Sequence, residues 1–367
     1  MNASRKTKGL WSIVMVELTN ICNFSCPFCP TDSMARKKAN MPRDLWQKVL
    51  RELGEKEMTP TVFFHLMGEP LVHKDIFDAI CFANDYGLSV SLYTNGALLD
   101  SDRSEMLLDA LRIGRVVLSL QLTTPDTFYN RSRRVYSWKT YIERLKNFTR
   151  KAMSRERPVS VQVHCLADVR GKGWNLVKIL QEQRRIQAVY DEWQKALGNG
   201  KRHKINIFNP ATSYPLDNNA SFFVKHQGTW DNKHIPPNMD VLIRDHGHCH
   251  LMTDTFAILA DGTCTVCCCD YEAELDLGNA HENTLEDIYN GKKATAIREA
   301  EEKGKMIEER CRICRGTLVY RKNRKPVPSR NLFTEFYFFR DHLRRYGLKS
   351  SVRKIRENIH RRLDTYF

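Results

Sequence analysis

Three thiols stand close together near the start of the chain, in the stretch Cys22-Asn23-Phe24-Ser25-Cys26-Pro27-Phe28-Cys29. A closed iron–sulfur or zinc site takes four cysteines, and the next is Cys81, so the compact trio points to a metal centre with one coordination position left open. An open iron can hold a substrate or a cofactor. The alternative is three unrelated core or surface thiols in a reducing compartment, and three cysteines at this spacing in a Pro-containing loop argue against it. A second set is arranged differently: Cys249 and Cys267 flank the hairpin-turn signal Asp261-Gly262-Thr263, and Cys311-Arg312-Ile313-Cys314 follows after a long gap. Four thiols from a hairpin and a later C-x2-C make a closed four-coordinate site. On spacing alone, zinc and [4Fe–4S] both remain open for it.

Through the first two hundred residues, apolar β-branched runs alternate with longer amphipathic stretches, the pattern of repeated β-α units and a parallel sheet. Strands are expected near 12–18, 61–67, 88–94, 115–122, 158–166 and 203–209, and helices near 42–57, 73–86, 101–112, 138–153 and 173–197. Six such repeats predict a partial or complete barrel, in which catalytic groups gather at the C-terminal ends of the strands. Met67-Gly68-Glu69-Pro70 follows the second strand, Tyr93-Thr94-Asn95-Gly96 ends the third, and the fourth runs through Ser119 into Thr124-Pro125-Asp126-Thr127-Phe128. Taken singly, the Gly-Pro and Asn-Gly elements are ordinary turn signals. On the fifth strand His164 or Cys165 could reach a substrate, although a buried thiol and a hydrogen-bonded histidine are the simpler reading.

Together these residues resemble the radical S-adenosylmethionine (SAM) superfamily, whose signature is C-x3-C-x2-C after a first strand, here with the aromatic Phe28 before the last Cys. The resemblance implies that Cys22, Cys26 and Cys29 bind a [4Fe–4S] cluster whose unique iron chelates SAM, and that one electron then releases a 5′-deoxyadenosyl radical able to take hydrogen from an unactivated C–H bond. Gly68 and Glu69 match the family's Gly-Gly-Glu-Pro motif, which receives the SAM amino group, with Met67 in place of the first Gly. Asn95 matches the Thr-Asn-Gly strand tip near the cofactor, and Ser119 a contact to SAM ribose or carboxylate. Gln121 and Leu122 replace the usual Asp-Gly after it. For the arginine that grips the SAM carboxylate, Arg131, Arg133 and Arg134 compete, and Arg133 or Arg134 is preferred. The second cysteine set, with Gly278-Asn279 and Leu285-Glu286-Asp287-Ile288-Tyr289, looks like the shortened Twitch form of the SPASM domain, which implies an auxiliary [4Fe–4S] cluster on Cys249, Cys267, Cys311 and Cys314. Cys264, Cys268 and Cys269 stay outside that count; Cys268 or Cys269 could ligate instead or give a hydrogen atom to a substrate radical, and Cys165 and Cys268 are the candidate catalytic thiols.

The 367 residues, 42% hydrophobic, suffice for a barrel plus an appended module. No uninterrupted apolar stretch is long enough to span a membrane, and the basic N-terminus leads into no signal-peptide pattern, so a cytoplasmic location and metal-binding rather than disulfide-bonded cysteines are expected. The net charge of +15 lies mostly in the tail, where residues 318–367 hold fourteen Lys/Arg against four Asp/Glu. No general nucleic-acid surface is therefore expected, while the tail's helical spacing of Val352, Ile355, Ile359 and Leu363 among basic residues could contact an anionic membrane surface. The expected fold class is α/β: a radical SAM (β/α)6 TIM-like barrel over 1–210, a linker and active-site cover over 211–248, a Cys-rich Twitch/SPASM domain over 249–316, and a basic aromatic helical tail over 317–367. The resemblance implies two [4Fe–4S] clusters, SAM, a small-molecule substrate and a reducing partner such as flavodoxin or ferredoxin. It points first to oxidation or epimerisation of a sugar-like or cyclitol alcohol, next to maturation of a ribosomal peptide, and, in another class, to a non-catalytic electron-transfer or binding protein.

Overall fold

The computed structural model describes residues 9–324 apart from 122–123, 133–134, 168–175, 199, 208–210, 227–234, 236 and 250. The first half alternates strand and helix: β1 (Ile13–Val16), α1 (Arg43–Glu55), β2 (Thr61–Phe64), α2 (Ile76–Asp85), β3 (Ser89–Thr94), α3 (Ser101–Ala110), β4 (Gly114–Gln121), α4 (Pro125–Arg131), α5 (Trp138–Ser154), β5 (Ser160–Ala167) and α6 (Leu176–Leu197). Then follow β6 (Thr212–Pro215), β7 (Ala220–His226), β8 (Met239–Leu242), α7 (Leu251–Asp254), β9 (Thr255–Ile258), β10 (Cys264–Thr265), α8 (Leu285–Asn290), α9 (Lys292–Glu302), α10 (Glu309–Cys314) and β11 (Thr317–Tyr320).

One sheet of nine strands runs in the order β10-β9-β1-β2-β3-β4-β5-β7-β6. From β9 to β7 the neighbours are parallel, and β10 and β6 fold back antiparallel at the two ends. Alternate residues of each strand, among them Val62 and Phe64, Val90 and Leu92, Val116 and Leu118, Val161 and Val163, and Phe222 and Val224, are buried in one core with the helices. On α1 the buried residues Leu45, Trp46, Val49, Leu50 and Leu53 recur at the spacing that puts one helix face on the sheet. Each such side chain contributes about 1.5–3 kcal/mol by leaving water. The remaining strand residues face the other way, into the concave interior of a partial barrel.

Two expectations need correction. The sixth parallel strand is not at 203–209, where the described residues 203–207 lie outside any strand; it is β7, within the stretch read as a linker. The polar run Asp217-Asn218-Asn219 is the turn of the β6–β7 hairpin, and its side chains hide the alternation of Ala220, Phe222 and Val224 that follows. The tail also begins as a strand rather than a helix, because residues 317–320 pair antiparallel with β8. Residues 325–367 lie outside the described residues.

The hairpin of β9 and β10 extends the barrel sheet on the β1 edge, which parallel pairing of residues 13–16 with 255–258 covers. Trp11 stacks on Phe256 at 4.4 Å beside this seam. At its end lies Glu17, whose side chain is wholly buried against Arg36. Arg36 Nη1 and Nη2 donate to the two carboxylate oxygens at 3.0 and 2.9 Å, Met67 N donates at 3.2 Å, and Ala260 N at 3.0 Å. The loop carrying the first three cysteines, the loop after β2 and the β9–β10 hairpin are thereby tied to one carboxylate. Arg36 Nε also donates to Tyr271 O at 2.6 Å. Removing one partner of a buried ion pair strands the other charge, so Glu17→Ala should lower unfolding stability by about 3–5 kcal/mol. Urea unfolding would measure it, and a loss below about 1 kcal/mol, the range of a surface pair, would show that the pair is not a structural node.

Candidate functional site

The loop after β1 is held at both ends before any cofactor is considered. Asn20 Nδ2 donates to Lys37 O at 2.8 Å, Asn20 Oδ1 accepts from Ala39 N at 2.8 Å, and Lys38 Nζ donates to Thr31 O at 2.6 Å. Within it Cys22, Cys26 and Cys29 are half-buried and unpaired by disulfide. Burial pushes the Cys22 thiol up to about 12 and raises that of Cys29, whose Sγ lies 2.9 Å from Thr31 Oγ1. A cluster bound here would take these cysteines as thiolates, displacing their protons.

Gly68 shows why the chain needs no side chain there. Its φ is +75°, and an added Cβ would stand 2.4 Å from Thr19 O. Next to it Glu69, 2% exposed, accepts from Thr94 Oγ1 at 2.6 Å, Asn95 N at 2.6 Å and Leu71 N at 3.1 Å. Burial outweighs these bonds and raises its carboxyl to about 7. Asn95 Nδ2 donates to Asn23 Oδ1 at 2.8 Å, so the tip of β3 touches the cysteine loop. Ser119 lies half-buried on the interior-facing register of β4. Two residues on, Gln121 adopts φ +62° beside a register shift in the β4–β5 pairing. This is the left-handed conformation that residues other than glycine rarely take.

The arginine brought to the cysteine loop is Arg131, while Arg133 and Arg134 lie outside the described residues. Thr124 caps α4, accepting from Thr127 N at 3.2 Å with Pro125 in the first turn, and Arg131 ends that helix fully buried. Arg131 Nε donates to Cys26 Sγ at 3.2 Å, Nη1 to Leu120 O at 2.6 Å and Nη2 to Ser119 O at 3.2 Å. Its guanidinium carbon lies 5.3 Å from the ring of Phe24 and 5.8 Å from that of Phe28. Sequence reading prefers Arg133 or Arg134 for the SAM carboxylate, and the contact of Arg131 with Cys26, 105 residues away, is visible only in the fold.

In the second region, Cys249, Cys267 and Cys311 pack around Met252, Val266, Leu275, Ile297 and Met306. Burial raises Cys311 to about 12 and raises Cys249, and both also feel Cys267 and Cys314. Cys269 joins them: the neighbouring thiols of Cys267, Cys268 and Cys314 push its pKa up. The turn is as read, with Gly262 at φ +83° and Asp261 Oδ1 accepting from Thr263 N at 3.1 Å. Asp270, buried, accepts from Thr265 Oγ1 at 2.6 Å and Leu275 N at 2.9 Å and shapes the loop carrying Cys267 to Cys269. Cys264 is buried in the barrel core, as is Cys165 on the helix-facing side of β5. Cys268 is different. It packs with Cys29, Met67 and Tyr271 on the interior side and interacts electrostatically with Tyr93 and Lys225. Among the described residues no three His, Cys, Asp or Glu side chains are arranged to hold a single metal ion.

Two outcomes follow. Arg131→Met removes the cationic donor from Cys26 and should leave a cluster there with a more negative reduction potential and lower iron retention, read by an EPR-monitored redox titration; an unchanged potential would exclude a tuning role. Glu69 binds its proton more tightly folded than unfolded, so it lowers stability as pH rises from its ordinary 4.5 to about 7 and costs its full amount above that. The wild-type stability minus that of Glu69→Gln should fall by about 3 kcal/mol across this window in urea unfolding, whatever the absolute effect of the substitution. A flat difference would contradict the burial argument.

Residues 16–166 match the model of the radical SAM superfamily, and residues 249–315 match the SPASM model, described as an iron–sulfur cluster-binding domain. A PqqA peptide cyclase of Bradyrhizobium diazoefficiens is 33% identical over 109 residues, covering 29% of this chain and 28% of that protein. An S-adenosyl-L-methionine-dependent 2-deoxy-scyllo-inosamine dehydrogenase of Niallia circulans is 29% identical over 101 residues, covering 27% and 40%. The chain thus matches less than half the length of either curated relative. The solved structure of anSMEcpe with bound AdoMet and Kp18Cys peptide shares the fold, with a TM-score of 0.51 at 14% identity over 91% of this chain and 97% of that one. The two domains imply [4Fe–4S] clusters and SAM, and the residues fit them: three soft thiols on one loop leave a ligand position for SAM, and a second thiol-rich loop can close around its own cluster. This chain belongs to the radical SAM superfamily and carries a C-terminal SPASM domain.

Proposed function

We propose that this chain modifies a peptide by radical chemistry, changing the expectation of a sugar or cyclitol substrate. The observation that carries the reading is the 33% identity to PqqA peptide cyclase across 109 residues. When bound, the SAM-ligating cluster supplies the radical that takes hydrogen from carbon, fed by a reducing partner of the flavodoxin or ferredoxin kind. The chain's own residues have the remaining tasks. Glu69 receives the SAM amino group against the backbone at Gly68, Asn95 and Ser119 border the cofactor, and Phe28 with Arg131 braces the loop of Cys22, Cys26 and Cys29. Cys249, Cys267, Cys311 and Cys314 hold the auxiliary cluster, with Cys269 as a competing ligand. Cys268, on the interior side between the two cysteine regions, stands where a thiol could exchange hydrogen with a substrate.

A second reading, oxidation of a sugar-like or cyclitol alcohol, is favoured by the 29% identity to the 2-deoxy-scyllo-inosamine dehydrogenase. No helix among the described residues is long and apolar enough to cross a membrane. Anaerobic reconstitution should load about eight irons per chain. With strong reductant, 5′-deoxyadenosine should then form faster with a peptide pool than with cyclitols or sugars. Stimulation by a cyclitol or sugar with loss of H2 from its mass selects the second reading. Absence of 5′-deoxyadenosine with every substrate class removes both, and leaves electron transfer or binding.

A further inference from the structure

The register of the sheet brings a set of basic and aromatic side chains together on the interior face. Phe63 pairs with Ser91 and Ser91 with Arg115; His164 pairs with Phe223, and Lys225 follows two residues on. The His65 ring stacks on Tyr93 at 4.5 Å, and Tyr93 meets His164 edge-on at 5.8 Å. His164 lies 4.7 Å from Phe223, its Nε2 2.7 Å from Gln162 Oε1. Arg115 sits with its guanidinium carbon 5.7 Å from the centre of the Phe63 ring and its Nε donating to Ser91 Oγ at 3.0 Å. These contacts make one wall.

The charge on that wall is of one sign. Lys225 acts electrostatically on both His65 and His164, and Arg115 acts on His164. Burial and these cations lower His65 to about 4 and His164 to about 3, so at neutral pH both rings are uncharged; the one N–H of His164 is directed to Gln162 Oε1, and His65 has one N–H to donate. Lys225 itself is exposed to the interior, and desolvation by the surrounding protein lowers its pKa. Among the described residues, neither Lys225, Arg115, His65 nor His164 forms an ion pair with Asp or Glu. The two cations, Lys225 and Arg115, face the interior without a carboxylate partner among the described residues, and the free energy that desolvation costs Lys225 is one that an arriving anion would offset. The residues matched to SAM lie toward the C-terminal ends of the strands, at Gly68, Glu69, Asn95 and Ser119, the last on this face of β4 four residues beyond Arg115.

We propose that the barrel interior is the binding site for an anionic group of the substrate, a carboxylate or a phosphate, held by Lys225 with His65 and His164 beside it and Arg115 deeper in the cleft. Tyr93 and Phe63 supply flat apolar walls for the rest of the molecule. Because Lys225 also interacts with Cys268, the anion would be anchored on the side of the cleft that faces the SPASM cysteines. The inference rests on the proposed function only in taking this interior as the place where substrate binds.

An anion at Lys225 must raise its pKa and withhold its free amine. The full chain, reconstituted with iron and sulfide and saturated with SAM, is acetylated by acetic anhydride at neutral pH, and Lys225 and the exposed Lys139 are followed by peptide mass spectrometry. Phosphate or glutarate should slow acetylation of Lys225 about tenfold for a rise of about one pKa unit, relative to chloride at matched ionic strength, and leave Lys139 unchanged. Protection by phosphate alone identifies a phosphate ester, protection by glutarate alone a carboxylate, and protection by both a site for either oxyanion. Protection by neither, or equal protection by chloride, overturns the proposal. Calorimetric titration with the same anions gives a second reading: uptake should be lost in Lys225→Met at unchanged iron content and circular dichroism, and retention overturns the site. Failure here would leave the peptide reading standing, whereas protection without peptide-stimulated 5′-deoxyadenosine would sink that reading and leave the anion site.

Discussion

The carboxylate of Glu17 has no access to water and four donors to satisfy it. Its ion pair with Arg36 and its bonds to Met67 N and Ala260 N come from three different segments, one of them 243 residues away. A buried charge accepts so few arrangements that these segments can meet it in only one register. The cysteine loop, the loop of Gly68 and Glu69, and the hairpin leading into the SPASM cysteines are therefore set relative to one another by a single group. Arg36 extends the constraint to Tyr271 O, and the carboxylate of Glu272 accepts from Ala35 N at 3.0 Å. Both cysteine regions are thus fixed to the same end of β1.

The sheet divides the molecule chemically as well as spatially. Its helix-facing side is aliphatic and aromatic, closely buried, and takes in Cys165 and Cys264 as small hydrophobes. Its other side carries the residues that apolar packing would reject: His65, Tyr93, Arg115, His164 and Lys225. A fold that stabilises itself on one face of its strands leaves the opposite face free for polar groups, since every second residue points there. That division lets a parallel sheet, usually covered on both faces, present polar and charged side chains on one of them.

Twelve cysteines do different work according to where this scaffold places them. Arg131 marks Cys26 electrostatically, burial marks Cys22 and Cys29, and five further thiols, Cys249, Cys267, Cys269, Cys311 and Cys314, gather in the SPASM region. Cys268 packs in the same cluster as Cys29 and acts electrostatically on Lys225, while Cys267 packs with Cys249 and Cys311 and acts, with Cys268 and Cys314, on Cys269. The three thiols sit on a turn rather than a strand, closed by Asp270 N donating to Cys267 O at 3.2 Å, and a turn sends successive side chains in different directions.

Local pattern was enough for much of this. The β-α alternation, the position of the first five strands and their helices within a few residues, the Asp261-Gly262 turn and both cysteine sets were legible, because hydrophobic period, turn chemistry and thiol spacing are properties of short stretches. The sixth strand was not, since the polar hairpin turn before it masks a run of only a few alternating residues. Nor could sequence show that Arg131 reaches Cys26, that Cys269, named as an alternative ligand, lies with the other thiols, or that Glu17 is the junction of three loops. Composition placed the basic character in the tail, yet Lys225 and Arg115 share one sheet face with His65 and His164 within a part of the chain that is only mildly basic on average. Those outcomes depend on which distant strands become neighbours and in what register. The sequence alone determined the elements and the kind of chemistry; tertiary structure decided which side chains share a face, because contact between residues a hundred or more positions apart is a property of the folded sheet and of no segment within it.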